Sequence, residues 1–239
     1  MRVLGIIPAR AGSKRIADKN IKPLNNKPLI QYSIDSAIKA SGIDKVIVST
    51  DNPNYANLAR SLGAEVPFNR PDELSNDSAP DKPVLQHALS WLKNYENYIP
   101  DAVAMLRPTS PFRSAHLINE VIEKFKLEQP DSIRTVSTAE GVHHPYWMYT
   151  MGENGEAVPL DKEKNADQFF QSQMLPPVYR LNGVLDIIAC RVIENPSDSM
   201  YGDNMRLFET DPLVSMDIDT EYDFMICENL LKSGIVKIN

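Results

Sequence analysis

Val3-Leu4-Gly5-Ile6-Ile7-Pro8-Ala9-Arg10-Ala11-Gly12-Ser13-Lys14-Arg15 is the stretch on which the reading of this chain turns. Val3 to Ile7 is a continuous apolar run of strand length, as expected of a strand buried on both faces. It stops at Pro8, and small residues follow, with Arg10, Lys14 and Arg15 among them. A buried strand that opens into a small-residue, cationic loop suits a polyphosphate. Backbone N–H groups approach the oxygens closely there, and the cations neutralise them. The loop has neither the G-x-G-x-x-G nor the G-x-x-x-x-G-K-[ST] pattern of the two best-known phosphate loops.

Working outward, short apolar runs alternate with helical periodicity. Leu29, Ile30, Ile34, Ala37 and Ile38 mark a helix over 28–40 that Gly42 terminates, and Lys45 to Thr50 reads as a second strand. A helix with Tyr55, Leu58, Ala59 and Leu62 on its apolar face is expected to start with Asn54 as its cap and to close at Gly63. Further helices are marked by Val84 to Leu92 and Leu117 to Phe125, and further strands by Ala102–Leu106, Ser132–Val136 and Leu181–Ile188; Glu221 to Leu231 closes the chain as a helix. This alternation predicts an α/β fold, a Rossmann-like nucleotide-binding domain with a mostly parallel sheet. It breaks between 141 and 178, where His143-His144-Pro145, several aromatics and Pro176-Pro177 follow no period. We read 1–239 as one domain and 141–178 as an extension inserted within it.

Composition narrows the class. The 239 residues are 42% hydrophobic and 24% charged, ordinary for a globular chain, and the net charge of −7 argues against a nucleic-acid partner. No run approaches the ~18 apolar residues of a membrane span, and the opening apolar run is too short for a signal peptide. Cys190 and Cys227 stand far apart with no C-x-x-C partner, so neither zinc nor a disulfide framework is expected, and the cytoplasm is the expected location.

Ligands of parallel α/β sheets bind at the carboxyl ends of the strands. Arg10 and Lys14 fall there, as do Asp51, Arg107, Thr109 and Ser110. Asp217 and Asp219 lie two apart, and in an extended segment that spacing puts both carboxylates on one face, suited to Mg²⁺. Each residue has a plainer use. A lone Arg10 or Lys14 is a solvated charge, Asp219 could cap the helix near Glu221, and Asp51 reads as a cap for the next turn. Adjacent His143 and His144 point different ways and carry no metal reading. Tyr146, Trp147 and Tyr149 read as packing or interface residues. Arg180-Leu181-Asn182-Gly183 is open to either a ligand or a structural role. Cations for a triphosphate and a carboxylate pair for its metal together describe nucleotidyl transfer.

Taken together these segments resemble the acylneuraminate cytidylyltransferase family, the CMP-sialic acid synthetases and their legionaminic and pseudaminic acid relatives. The resemblance spans nearly the whole chain. It is carried by Ile7 to Arg15 with Lys19-Asn20, Ile47 to Asp51, Arg70 to Ala79, Leu106 to Pro111, Arg180 to Gly183 and Asp217 to Thr220. The resemblance implies that CTP is coupled to a nonulosonic acid sugar, giving the CMP-sugar and pyrophosphate. It assigns Arg10, Ser13, Lys14, Lys19, Asn20, Arg70 and Ala79 to the nucleotide, and Asp217 and Asp219 to Mg²⁺. Arg107, Thr109, Ser110, Arg180 and Asn182 fall to the sugar and reacting centre, and 141–178 to dimerisation, so that a homodimer is expected. Arg10, Lys14, Asp217 and Asp219 are the expected catalytic set. Relatives acting on N-acetylneuraminate carry Gln where this chain has Arg107, and some carry Lys and Arg where it has Trp147 and Ser172. A Gln donates and accepts hydrogen bonds, whereas an Arg only donates and is charged. The departures point to a modified nonulosonic acid. A Kdo-type cytidylyltransferase and an inactive nucleotide-binding regulator are the competing readings.

Overall fold

The computed structural model describes residues 1–197 and 199–237. The elements run β1 (Val3–Pro8), β2 (Pro23–Leu24), β3 (Lys27–Pro28), α1 (Leu29–Lys39), β4 (Lys45–Ser49), α2 (Pro53–Ser61), α3 (Asp81–Glu96), β5 (Ala102–Met105), α4 (Ala115–Glu128) and β6 (Ser132–Thr138). They continue with β7 (Tyr149–Met151), β8 (Ala157–Pro159), β9 (Tyr179–Ala189), α5 (Cys190–Ile193), β10 (Met205–Glu209) and α6 (Glu221–Lys232). Six strands form the central sheet in the order β10-β6-β9-β5-β1-β4. β4, β1 and β5 pair in parallel, as do β6 and β10, while β9 runs antiparallel to both neighbours.

The apolar runs form the strands because they are covered on both sides. Val3, Leu4, Ile6 and Ile7 are fully buried, as are all the residues of β5. α1 packs on α2 and α4, and α3 on α5, each through the apolar stripe expected of it. A second, smaller cluster around Ile16, Leu24, Tyr32, Phe112, Ile218 and Phe224 ties the opening loop and α6 together.

The sequence misplaces three boundaries. α2 is capped by Asn52, whose Oδ1 accepts from the N–H groups of Asn54 and Tyr55 at 2.8 and 3.3 Å; Asn54 is a recipient of the cap. α1 ends at Lys39, before Gly42. Gly42 is small for packing reasons instead, since a Cβ there would meet the Ile122 side chain of α4 at 2.9 Å. α3 starts at Asp81, three residues before its first apolar marker, because a helix's first turn needs no apolar face.

The irregular stretch after β6 holds short 3₁₀ turns and the β7–β8 hairpin. His144 is fully buried; its Nδ1 accepts from the Tyr146 N–H at 3.2 Å and its Nε2 lies 3.0 Å from the Pro176 carbonyl, tying the stretch's two ends. The Trp147 indole donates to the Phe169 carbonyl. These are staples rather than a core, and Tyr149, Met151, Leu160 and Phe170 remain exposed.

Ile6 pairs with Ile47 on one side and Met105 on the other and is fully buried. Ile6→Ala is expected to cost about 2–5 kcal/mol, a cavity at the sheet centre. Urea denaturation followed by circular dichroism checks this, and a loss under about 1 kcal/mol would contradict the packing.

Candidate active site

Because β1, β4, β5 and β6 run one way and β9 the other, the carboxyl ends of the first four share an edge with the start of β9. The opening loop is fixed at that edge from several sides. The Ala9 N–H donates to the Ser49 carbonyl at 2.9 Å, the Ala11 N–H to Asp51 Oδ1 at 2.8 Å, and Asn20 Nδ2 to the Arg10 carbonyl at 3.0 Å. Asp51 therefore anchors the loop and does not cap the following turn. Gly12 takes a φ of +74°, a left-handed value that side chains with a Cβ rarely adopt.

Arg10 lies 2.6 Å from Asp77, and the Lys14 ammonium reaches the other oxygen of the same carboxylate. Arg70 is 3% exposed and donates to the hydroxyl and carbonyl of Ser49. Burial lowers its guanidinium to about 10, partly offset by Asp51 and Asp81. It stays charged at neutral pH, a cation fixed behind the loop.

Arg107 emerges after β5 and donates to Asp186 and to Asp81, each at 2.8 Å. Burial by itself would lower its pKa, but the two carboxylates outweigh that and hold it above the ordinary arginine value. Asp186, on β9, is 1% exposed and also accepts from Arg134 at 3.1 Å and from the Tyr201 hydroxyl at 3.3 Å. Arg113 is buried below this group, bonded to Ser33 at 2.7 Å and to the Val184 carbonyl, with its Nε unpartnered. Burial and the neighbouring Arg107 lower it to about 9.

The segment before α6 alternates: Ile218 is fully buried while Asp217 and Asp219 are open to solvent, as extended spacing requires. Its position is set by three bonds. The Ile218 N–H donates to the Thr109 carbonyl at 2.9 Å, and Lys19 Nζ donates to the Ile218 carbonyl at 2.8 Å and to Asp219 at 3.2 Å. Asp219 is not the helix cap. Thr220 is, in a reciprocal capping box with Asp223. Although one side of Asp217 meets solvent, protein packed on the other raises its pKa; Thr109 opposes this and Asp219 adds to it. Two hard carboxylates that repel one another fit a divalent cation. Among the described residues no third His, Cys, Asp or Glu joins them. Waters and phosphate oxygens would complete such a shell.

Of the expected residues, Arg10, Ser13, Lys19, Asn20, Arg70, Ala79, Arg107 and Thr109 line one cleft of about 230 Å³. Lys14 stands at its rim on Asp77, and Asp217 and Asp219 are joined to it through Thr109 and Lys19. The others stand apart. Ser110 is buried, its hydroxyl 3.5 Å from the Gly183 carbonyl. Arg180 is exposed on β9, and its guanidinium has no partner among the described residues. Asn182 is 7% exposed and fully engaged: its amide donates to Ser137 at 2.9 Å and Thr210 at 2.8 Å, and its carbonyl oxygen accepts from the Val184 N–H at 3.2 Å. It positions β9 rather than facing the cleft. Asp77, Asp81 and Asp186 were missed. Asp186 carries its own signal, a lone acid among Val184, Leu185, Ile187 and Ile188 that burial obliges to find a partner.

Residues 4–230 match the family model described as Cytidylyltransferase. The chain is 32% identical to the CMP-N,N'-diacetyllegionaminic acid synthase of Legionella pneumophila, over 97% of each chain. It is 39% identical, again over 97% of each, to a pseudaminic acid cytidylyltransferase of Campylobacter jejuni. The solved structure of CMP:2-keto-3-deoxy-manno-octonic acid synthetase complexed with CTP superposes with a TM-score of 0.73, covering 98% of this chain and all of that one, at 17% identity. That likeness concerns the fold.

Asp186→Ala removes the buried counter-charge of both Arg107 and Arg134 and is expected to cost about 3–5 kcal/mol. Urea unfolding of the two proteins measures it, and an unchanged midpoint would show the pairs to be dispensable.

Proposed function

The chain belongs to the cytidylyltransferase family, and from that premise we propose that it couples CTP to a nonulosonic acid, releasing the CMP-sugar and pyrophosphate. The observation that carries this is the cleft itself. Arg10, Lys19, Arg70 and Arg107 surround one space at the carboxyl ends of parallel strands, with the Asp217–Asp219 segment bonded to its edge. Polyphosphate oxygens need fixed cations, and a phosphoryl-transfer metal needs hard carboxylates.

Each residue then has a task. Arg10, Lys14 and Lys19 hold the phosphates, Ser13 and the loop N–H groups approach them, and Asn20, Arg70 and Ala79 border the nucleoside. The sugar's anomeric hydroxyl attacks the α-phosphorus in line; a new O–P bond forms, the α–β bridge breaks, and pyrophosphate takes the electron pair. Positioning the two reactants and neutralising the phosphate oxygens supplies most of the acceleration. Mg²⁺ on Asp217 and Asp219 would polarise the α-phosphate when bound. The hydroxyl's proton leaves through water or a group on the substrates.

For the sugar we favour a modified nonulosonic acid of the legionaminic or pseudaminic type. Support comes from Arg107, whose donors are directed by Asp81 and Asp186, and from the two full-length relatives. Of the sugar-side residues, Thr109 lines the cleft, Arg180 would meet the sugar from the exposed start of β9, and Ser110 and Asn182 act as positioning residues behind it. The exposed Tyr149, Met151 and Phe170 of the 141–178 stretch suit a homodimer contact. The cytoplasm, where CTP is made, is the proposed location. No helix among the described residues is long and apolar enough to cross a membrane.

Incubation with CTP and a panel of nonulosonic acids, read by pyrophosphate release, is expected to favour a legionaminic or pseudaminic acid; better turnover of N-acetylneuraminate would reverse the assignment. Asp217→Asn is expected to cut kcat by about 10²-fold or more. The same change should stabilise the metal-free protein. Because the folded-state pKa of Asp217 lies above its unfolded value, the folded chain binds that proton more tightly and loses stability as pH rises through the raised pKa. At neutral pH the charge is a cost that Asn removes, so the midpoint of the metal-free variant is expected to rise. Mg²⁺ should raise the midpoint of the wild type and not of the variant. Near-normal turnover in the variant would refute the metal role.

A further inference from the structure

We propose that Asp77 is a specificity-determining residue that competes with phosphate for Arg10 and Lys14, so that a triphosphate binds by displacing it and smaller anions are held off. Arg10 sits on one oxygen of Asp77 at 2.6 Å, and the Lys14 ammonium sits on the other. The carboxylate thus bridges the two cations of the opening loop as a phosphate would. Lys14 has no other side-chain partner among the described residues, and the further bonds of Arg10 are long ones to Ala11 and Gly12 at 3.4 Å.

Asp77 is presented by a turn that does not need its side chain. Asn76 Oδ1 accepts from the Ser78 N–H at 3.0 Å, Asn76 Nδ2 donates to the Glu73 carbonyl at 2.8 Å, and the Ala79 N–H donates to the Asn76 carbonyl at 3.3 Å. The 3₁₀ turn Asp72–Leu74 precedes it. Among the described residues the Asp77 carboxylate bonds only Arg10 and Lys14, and those cations hold its pKa below the usual carboxylate value. The backbone is set locally and the carboxylate is spent on the loop cations.

The consequence is electrostatic. Asp77 cancels one of the two positive charges, so an anion with a single phosphate meets a nearly satisfied site. A triphosphate carries enough charge, and reaches enough further cations, to replace the carboxylate. The pairs are solvent-accessible and individually weak, so the barrier is modest and falls with added salt.

The inference rests on the proposed nucleotide role of Arg10 and is tested beside it. Titration calorimetry with CTP, pyrophosphate and inorganic phosphate is run on the wild type, Asp77→Asn and Arg10→Ala, with thermal melts to confirm folding. Asp77→Asn is expected to bind CTP roughly 3- to 10-fold more tightly. Pyrophosphate and phosphate should gain by at least as large a factor, with stronger product inhibition in turnover, and the differences should shrink at 0.5 M NaCl, where the screening length is about half that at 0.15 M. Arg10→Ala should weaken CTP. If Arg10→Ala weakens CTP while Asp77→Asn binds all three anions no better than wild type, the latch is wrong and the site stands. If Arg10→Ala binds CTP as wild type does, both fall together.

Discussion

One buried carboxylate organises the Arg107 side of the cleft. Asp186 lies in the middle of an apolar strand, and a charge there is tolerable only if it is fully partnered. It receives Arg107 from just after β5, Arg134 from β6 and the Tyr201 hydroxyl, with the Arg134 guanidinium 3.8 Å from the Tyr201 ring centre. This ties the three strands β5, β9 and β6 at the level where the cleft opens. It also fixes the direction of Arg107, since a guanidinium held by Asp186 on one nitrogen and Asp81 on another presents its remaining face in one orientation. Asn182 and Arg113 extend the constraint, one to Thr210 and the other to Ser33.

The opposite wall is built differently. Arg10 and Lys14 are accessible cations on a loop, paired with an accessible carboxylate. Such pairs contribute little to stability, and they exchange partners readily. The cleft therefore combines a rigid side, built on buried charge pairs, with a side whose exposed charges exchange partners readily. Asp217 sits between the two regimes. Its charge is disfavoured by the protein packed on one side of it and by the neighbouring Asp219 carboxylate.

Much of this was legible in the residues. Apolar runs and helical stripes located the strands and helices to within a few positions, because burial on one face or two leaves a period in the sequence. Arg10, Arg70, Arg107 and Thr109 were all singled out from motifs, and they line one cleft. What was illegible is pairing. Asp51 and Asn54 each look like a cap, and only the chain's path shows that Asp51 takes the Ala11 N–H and that Asn52 caps α2. Asn182 looked equally like a ligand or a structural residue, and two of its three side-chain contacts, to Ser137 and Thr210, are made to segments remote in sequence.

By itself the sequence determined the alternating α/β architecture, the phosphate-suited loop after β1 and the extended Asp217–Asp219 pair, since each depends on short-range periodicity or spacing. The tertiary structure decided that β9 runs against its neighbours. That reversal brings the start of one strand to the ends of the others, and it sets Asp186 under Arg107. It also decided that Asp77 rests on Arg10 and Lys14 across the cleft mouth. Contacts between charges many residues apart follow from strand order and direction, which local patterning does not encode.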